Sequence, residues 1–139
     1  MLASVTLLLA SLLPAGETAL SLNQPVVSIS RQYGMSATIL CEISGSKTSY
    51  IHWYRQQPGK SPQRILYYNM RTSRTTLDSG FYSWQFQGGK IGDRKATLLL
   101  KYLGRSDAGI YYCAIWGFLL ESGALPKVFG SGTKVIIVG

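Results

Sequence analysis

The chain is poor in acids and almost without histidine. Six Asp and Glu and a single His stand against fourteen Lys and Arg in 139 residues. Two cysteines and one histidine cannot complete a tetrahedral zinc site, so no metal is expected, and nothing in the chain points to another cofactor. His52 has no nucleophile motif beside it, and no Gly-rich phosphate loop leads into a helix, so an enzyme is not expected. After residue 20 no apolar run at helical spacing exceeds two turns, and none is long enough to cross a bilayer. Any membrane anchor is therefore expected outside this sequence. Asn23 and Asn69 lack a hydroxyl residue two positions on, which excludes an N-linked glycan. The net charge is +8, yet the basic residues are scattered from Arg31 to Lys134 with one adjacent pair, Arg94-Lys95. Without a basic run or a groove-reading helix, nucleic acid is not an expected partner.

What the chain does have is glycine, tyrosine and short alternating segments. Fifteen glycines and nine tyrosines favour many strands and turns, and the fold is expected to be all-β. Val26 to Ser30, Ala37 to Ile43, His52 to Gln56, Arg64 to Tyr68, Ala96 to Leu100, Ile110 to Ile115 and Thr133 to Val138 read as strands. Gln57-Pro58-Gly59-Lys60 reads as a turn, because Pro presets φ and Gly accepts a positive value. The first stretch differs from the rest. Met1 to Ala15 carries no charged side chain and ends at a Pro followed by small residues. It reads as a secretory signal peptide over about residues 1–16, cut somewhere between 15 and 19, with a single domain over 17–139.

Alternation sorts the central strands into two faces. Ala37, Ile39, Cys41 and Ile43 share one face; Trp53 and Arg55 point inward, and His52, Tyr54 and Gln56 outward. Tyr111 and Cys113 share the core face, which turns Tyr112 outward. Tyr54, Gln56 and Tyr112, with Phe129, thus make an outward aromatic patch of the kind a partner domain covers.

The frame Cys41…Trp53-Tyr54-Arg55-Gln56-Gln57-Pro58-Gly59…Asp107-Ala108-Gly109-Ile110-Tyr111-Tyr112-Cys113…Phe129-Gly130-Ser131-Gly132-Thr133 resembles an immunoglobulin variable domain. The resemblance covers about residues 20–139. Tyr111-Tyr112-Cys113-Ala114-Ile115-Trp116 and Lys127-Val128-Phe129-Gly130-Ser131-Gly132-Thr133-Lys134 tilt it toward the T-cell receptor gamma chain. His52-Trp53-Tyr54-Arg55-Gln56 is also similar to gamma frames. On this likeness the V region runs to about 116 and a joining segment covers about 124–138.

The resemblance implies a two-sheet variable-type sandwich with Greek-key connections, stapled by a Cys41–Cys113 disulfide across Trp53. Secretion into an oxidising compartment agrees with that bridge. Closing so long a loop contributes roughly 4 kcal/mol on the chain-entropy account. Tyr111 becomes the corner tyrosine, and Gly130 with Gly132 a bulge in the last strand. Tyr54, Gln56, Pro62, Tyr112 and Phe129 match positions that line the contact with a second variable domain, where Gln56 would meet an equivalent glutamine. One departure stands out. Family members pair the acid at Asp107 with a base soon after a Ser-Gly, but here Ser79-Gly80 is followed by Phe81. Arg94 and Lys90 are the substitutes the sequence offers, and residues 81–95 fit the pattern worst.

Recognition is expected in three loops at one end of the sandwich. The first holds Ser46, Lys47, Thr48, Ser49 and Tyr50; the second holds Tyr68, Asn69, Arg71 and Arg74, the two arginines being the best local candidate for an acidic ligand. The third, Ala114 to Val128, carries Trp116, Phe118, Leu119, Leu120 and Glu121, a heavy apolar load in which Trp116 either anchors a ligand or packs inward. The function implied is antigen recognition on the extracellular side of the plasma membrane. The implied partners are a delta chain, signalling subunits reached through regions outside this sequence, and a protein or cell-surface antigen. An antibody light chain or another T-cell receptor chain keeps the fold and changes the partner. A cell-adhesion or innate-receptor module would use the sheet face instead of the loops.

Overall fold

A computed structural model describes residues 20–45, 48–116 and 126–139. The expected signal peptide lies outside the described residues, as do Ser46, Lys47, Phe118, Leu119, Leu120 and Glu121. Eleven strands and one 3-10 turn form among the described residues. They are β1 (Ser21–Asn23), β2 (Ser28–Gln32), β3 (Ala37–Ser44), β4 (Tyr50–Gln56), β5 (Gln63–Asn69), β6 (Arg74–Leu77), β7 (Phe86–Ile91), β8 (Lys95–Leu100), β9 (Gly109–Trp116), β10 (Pro126–Phe129) and β11 (Thr133–Val138), with the 3-10 turn at Arg105–Asp107. One sheet runs β1-β3-β8-β7; the other runs β2-β11-β9-β4-β5-β6, with β10 also paired to β9. The all-β sandwich expected from the sequence is the fold observed.

Alternation makes each sheet one-faced. In β3 the inward set is Ala37, Ile39, Cys41 and Ile43; in β8 it is Ala96, Leu98 and Leu100. Cys41 from one sheet and Cys113 from the other are bonded, their Cα atoms 6.3 Å apart, and both are fully buried. Trp53, Tyr111, Leu98 and Leu103 fill the same core with no exposed surface. Tyr111 donates its hydroxyl to the Asp107 carbonyl at 2.6 Å, tying β9 back to the 3-10 turn.

The first strand differs from expectation. β2 begins at Ser28 rather than Val26, because residues 24–27 carry the chain from β1 on one sheet to β2 on the other. Gln24 holds that crossover. Its side chain is 3% exposed; Nε2 donates to the Tyr111 carbonyl at 2.9 Å and Oε1 accepts from the amides of Cys113 and Gly132 at 3.2 and 3.0 Å. Gly130 packs so close that an added Cβ would meet Gln24 Oε1 and lie 2.8 Å from Cys113 Sγ.

The partner of Asp107 is also corrected. Neither Arg94 nor Lys90 reaches it; Arg94 donates to the Gly45 carbonyl and Lys90 to the Met70 carbonyl. Arg55, inward on β4, lies 3.1 Å from the carboxylate instead, with its guanidinium over the Phe81 ring at 5.3 Å. A base delivered from β4 replaces one delivered from the region after Ser79-Gly80, and Phe81 occupies the freed space as a packing surface. The uncertain stretch 81–95 resolves into a turn, the edge strand β7 and a hairpin to β8.

Candidate pairing face and loop bases

The second sheet exposes an aromatic face built by register. On β4 and β9 the pairs His52–Ala114, Tyr54–Tyr112 and Gln56–Ile110 stand opposite one another. Tyr112 donates its hydroxyl to Gln56 Oε1 at 3.3 Å. Phe129, arriving on β10, meets Tyr54 edge-on at 5.5 Å between centroids and Tyr112 at 6.2 Å. Gln56, Pro62, Tyr112 and Phe129 line an open recess of about 190 Å³. Phe129 is 45% exposed there, a large apolar ring that the described residues leave uncovered.

Tyr54 lies on this face but is not open to a partner as expected. It is 9% exposed, because Phe129 covers one side and Trp116 the other. Burial raises the pKa of its phenol, and the hydrogen bond it accepts from Trp116 opposes that shift.

Toward the loop end, the face carries a charged and aromatic cluster. Arg64 forms a two-pronged bond to Asp78, Nε to Oδ2 at 2.7 Å and Nη2 to Oδ1 at 2.9 Å. Its guanidinium carbon lies 4.8 Å from the ring centroids of both Tyr67 and Trp116. Nη1 lies 3.2 Å from His52 Nδ1. Arginine can only donate, so Nδ1 must be the unprotonated nitrogen of a neutral ring. Burial, and then the Arg64 charge, lower the His52 pKa to about 4, with Asp78 pulling the other way. Trp116 stacks flat on His52, 4.3 Å between centroids and 4° between planes, and its Nε1 donates to the Tyr54 hydroxyl at 2.9 Å.

Trp116 is therefore the last residue of β9, packed inward on its own sheet, and not a free side chain of the third loop. Tyr68, expected in the second loop, is likewise corrected. It is 4% exposed and belongs to the core, where it fits because Gly88 opposite has no side chain. A Cβ on Gly88 would lie 2.8 Å from the Tyr68 ring.

Other loop residues sit at the surface. Tyr50 is 44% exposed and meets Tyr67 edge-on at 5.9 Å. Thr48 donates its hydroxyl to the Tyr50 carbonyl at 3.1 Å, and the Ser49 carbonyl accepts from the Met70 amide at 2.7 Å, joining the first and second loops. Asn69 Oδ1 accepts from the amides of Arg71 and Thr72, a side-chain turn that leaves Arg71 and Arg74 exposed.

Sequence reasoning missed Gln24, Arg64 and Asp78. A register shift between Trp53 and Tyr54 skips Ile65, so Ile65 and Leu66 are both buried and the simple alternation around Arg64 fails. An Arg-Ile-Leu run after a turn was the available signal, since consecutive buried residues in a strand mark a bulge.

The immunoglobulin V-set domain matches residues 24–138. The chain belongs to the V-set family. Human T cell receptor gamma variable 4 is 39% identical over 113 residues, covering 81% of this chain and 96% of that protein. Human T cell receptor gamma variable 3 is 40% identical with the same coverage. The V region of a kappa immunoglobulin chain from Oryctolagus cuniculus is 33% identical over 121 residues, 87% of this chain and all of the relative. A solved marsupial T cell receptor chain superposes with a TM-score of 0.78 at 39% identity, covering 87% of this chain and 54% of the receptor chain. The chain thus spans about half the length of the solved receptor chain it matches. It is an antigen-receptor variable domain.

Proposed function

We propose that this V-set domain is the variable domain of a T-cell receptor gamma chain, which pairs with a delta-chain variable domain and recognises antigen through the ends of three loops. The observation that carries the pairing is the uncovered recess of Gln56, Pro62, Tyr112 and Phe129 on a V-set sheet. An exposed Phe129 ring beside a glutamine amide suits a second domain that brings an apolar surface and an amide of its own. The gamma assignment rests on the similarity to human gamma variable proteins. A signal peptide over about residues 1–16 and display on the outer surface of the plasma membrane belong to the same proposal, as does association with signalling subunits through other regions of the receptor. No catalytic role is proposed.

The test is co-expression with candidate delta, alpha and beta variable partners. Recovery of the delta pair alone is the expected result, and Phe129→Ala should weaken that pair by about tenfold or more, as central aromatics in interfaces do. Stable pairing with alpha or beta domains, or none with delta, overturns the gamma–delta reading. The similarity to the rabbit kappa V region supports a second reading, a light-chain-like domain, which pairing with an antibody heavy variable domain would reveal. Shuffling residues 117–125 separates a receptor from an adhesion module. A receptor loses its ligand and keeps its partner; a module that binds through the sheet face keeps both.

A further inference from the structure

The third loop leaves the sheet at a defined pair. Trp116, the last residue of β9, stands opposite Pro126, the first of β10, so residues 117–125 begin and end at this rung. A loop that must present a specific shape gains from a fixed base, because ordering it on binding costs affinity. An edge-of-sheet rung held only by backbone would fray. Here Trp116 is fastened on three sides. His52 stacks beneath its ring, Tyr54 accepts its indole N–H, and Arg64 lies against its π face. Two of those three contacts run back to Arg64. Its Nη1 orients His52 through Nδ1, and its guanidinium packs on Trp116 directly. Asp78 and Tyr67 in turn fix Arg64, the first by the two-pronged bond and the second by ring contact, so the guanidinium plane cannot rotate freely.

We propose that Arg64, held by Asp78, is the positioning residue of the third loop: it locks Trp116 against His52 and so sets the rung from which residues 117–125 depart. Trp116 then acts at the loop's base and not at its tip. The clamp on that rung is delivered from β5, by a residue distant in sequence. Lysine in place of Arg64 keeps the charge opposite Asp78 but offers no flat surface to Trp116 and no fixed donor to His52. The value of the loop base for recognition rests on the proposed function; the clamp itself does not.

The test uses the chain alone, with NMR of its three indole N–H groups. Trp53 is fully buried and Trp84 is 57% exposed, so both serve as internal references, and a Trp116→Phe variant assigns the third resonance. In Arg64→Leu the Trp116 indole should move toward its solvent-exposed position and exchange with water about tenfold faster, as loss of one hydrogen-bonded anchor implies. The Trp53 and Trp84 resonances should stay in place. Arg64→Lys should give the same shift at reduced size, with the fold intact. If Arg64→Leu disturbs Trp53 as well, the fold is compromised and Arg64→Lys decides. A Trp116 resonance unchanged in Arg64→Lys overturns the proposal. Because no partner or antigen is present, failure here leaves the receptor reading standing, and failure to pair with a delta domain leaves the clamp standing.

Discussion

Arg55 on β4 holds Asp107 inside the sandwich, guanidinium to carboxylate at 3.1 Å, with the two side chains 13% and 5% exposed. The carboxylate is fully engaged. Its Oδ2 also accepts from Gln85 Nε2 and from the Gly104 amide, both at 2.8 Å, while the Asp107 carbonyl takes the Tyr111 hydroxyl. Removing one partner leaves a buried charge uncompensated, which costs about 3–5 kcal/mol. Arg55→Leu and Asp107→Ala should each lower the unfolding free energy measured in urea by that amount. The double variant should recover part of the loss, and simple additivity in a denaturation cycle would refute the pair.

The Cys41–Cys113 bridge closes a separation of 72 residues. Replacing both cysteines by alanine should cost about 2–5 kcal/mol, seen as a lower thermal midpoint that reducing agent no longer changes. In the unmodified chain, reductant should reproduce the same loss.

Gln24 satisfies two buried amides and one buried carbonyl at once. Gln24→Leu strands all three, and at about 1–3 kcal/mol for each unsatisfied group the variant should be destabilised by about 3 kcal/mol or more. Gly130→Ala should act at the same place, since its methyl group would press on Gln24 and on Cys113 Sγ. Amide exchange at Cys113 and Gly132 would report both effects; normal protection there would count against the role given to Gln24.

His52 makes stability depend on pH. Its folded pKa is about 4 against 6.5 for the free ring, so the unfolded chain takes up the proton first. The contribution is fully present above pH 6.5 and is lost as pH falls toward and through about 4. His52→Phe keeps a flat ring beneath Trp116 and removes the titration. Its unfolding free energy should vary less with pH between 6.5 and 4 than that of the parent chain, and parallel curves would discount His52 as the source.

The fold was legible because its signals are local and covalent. Cys41, Trp53, Tyr111 and Cys113 announce the sandwich by spacing, and alternation in β3 and β8 names the core. Tyr54, Gln56 and Tyr112 were legible as a face by the same period of two, and Phe129 joined them through the family resemblance. What escaped depends on contacts between residues far apart in the chain. Arg55 was read as inward, but it lies 52 residues from Asp107, whose base was sought after Ser79-Gly80 instead. The skipped Ile65 shifts the phase of β5, which hid Arg64. Tyr68 looked like a loop residue until Gly88 on the other sheet made room for it. Trp116 allowed two readings from sequence, and a neutral His52 beneath it favours the inward one.

β11 lies between β2 and β9, parallel to the first and antiparallel to the second. Without β11, β2 and β9 would each show a raw edge, a row of unanswered amides and carbonyls inviting aggregation. The last strand thus decides whether this sheet stays separate from a neighbouring one, because it alone covers both of those edges.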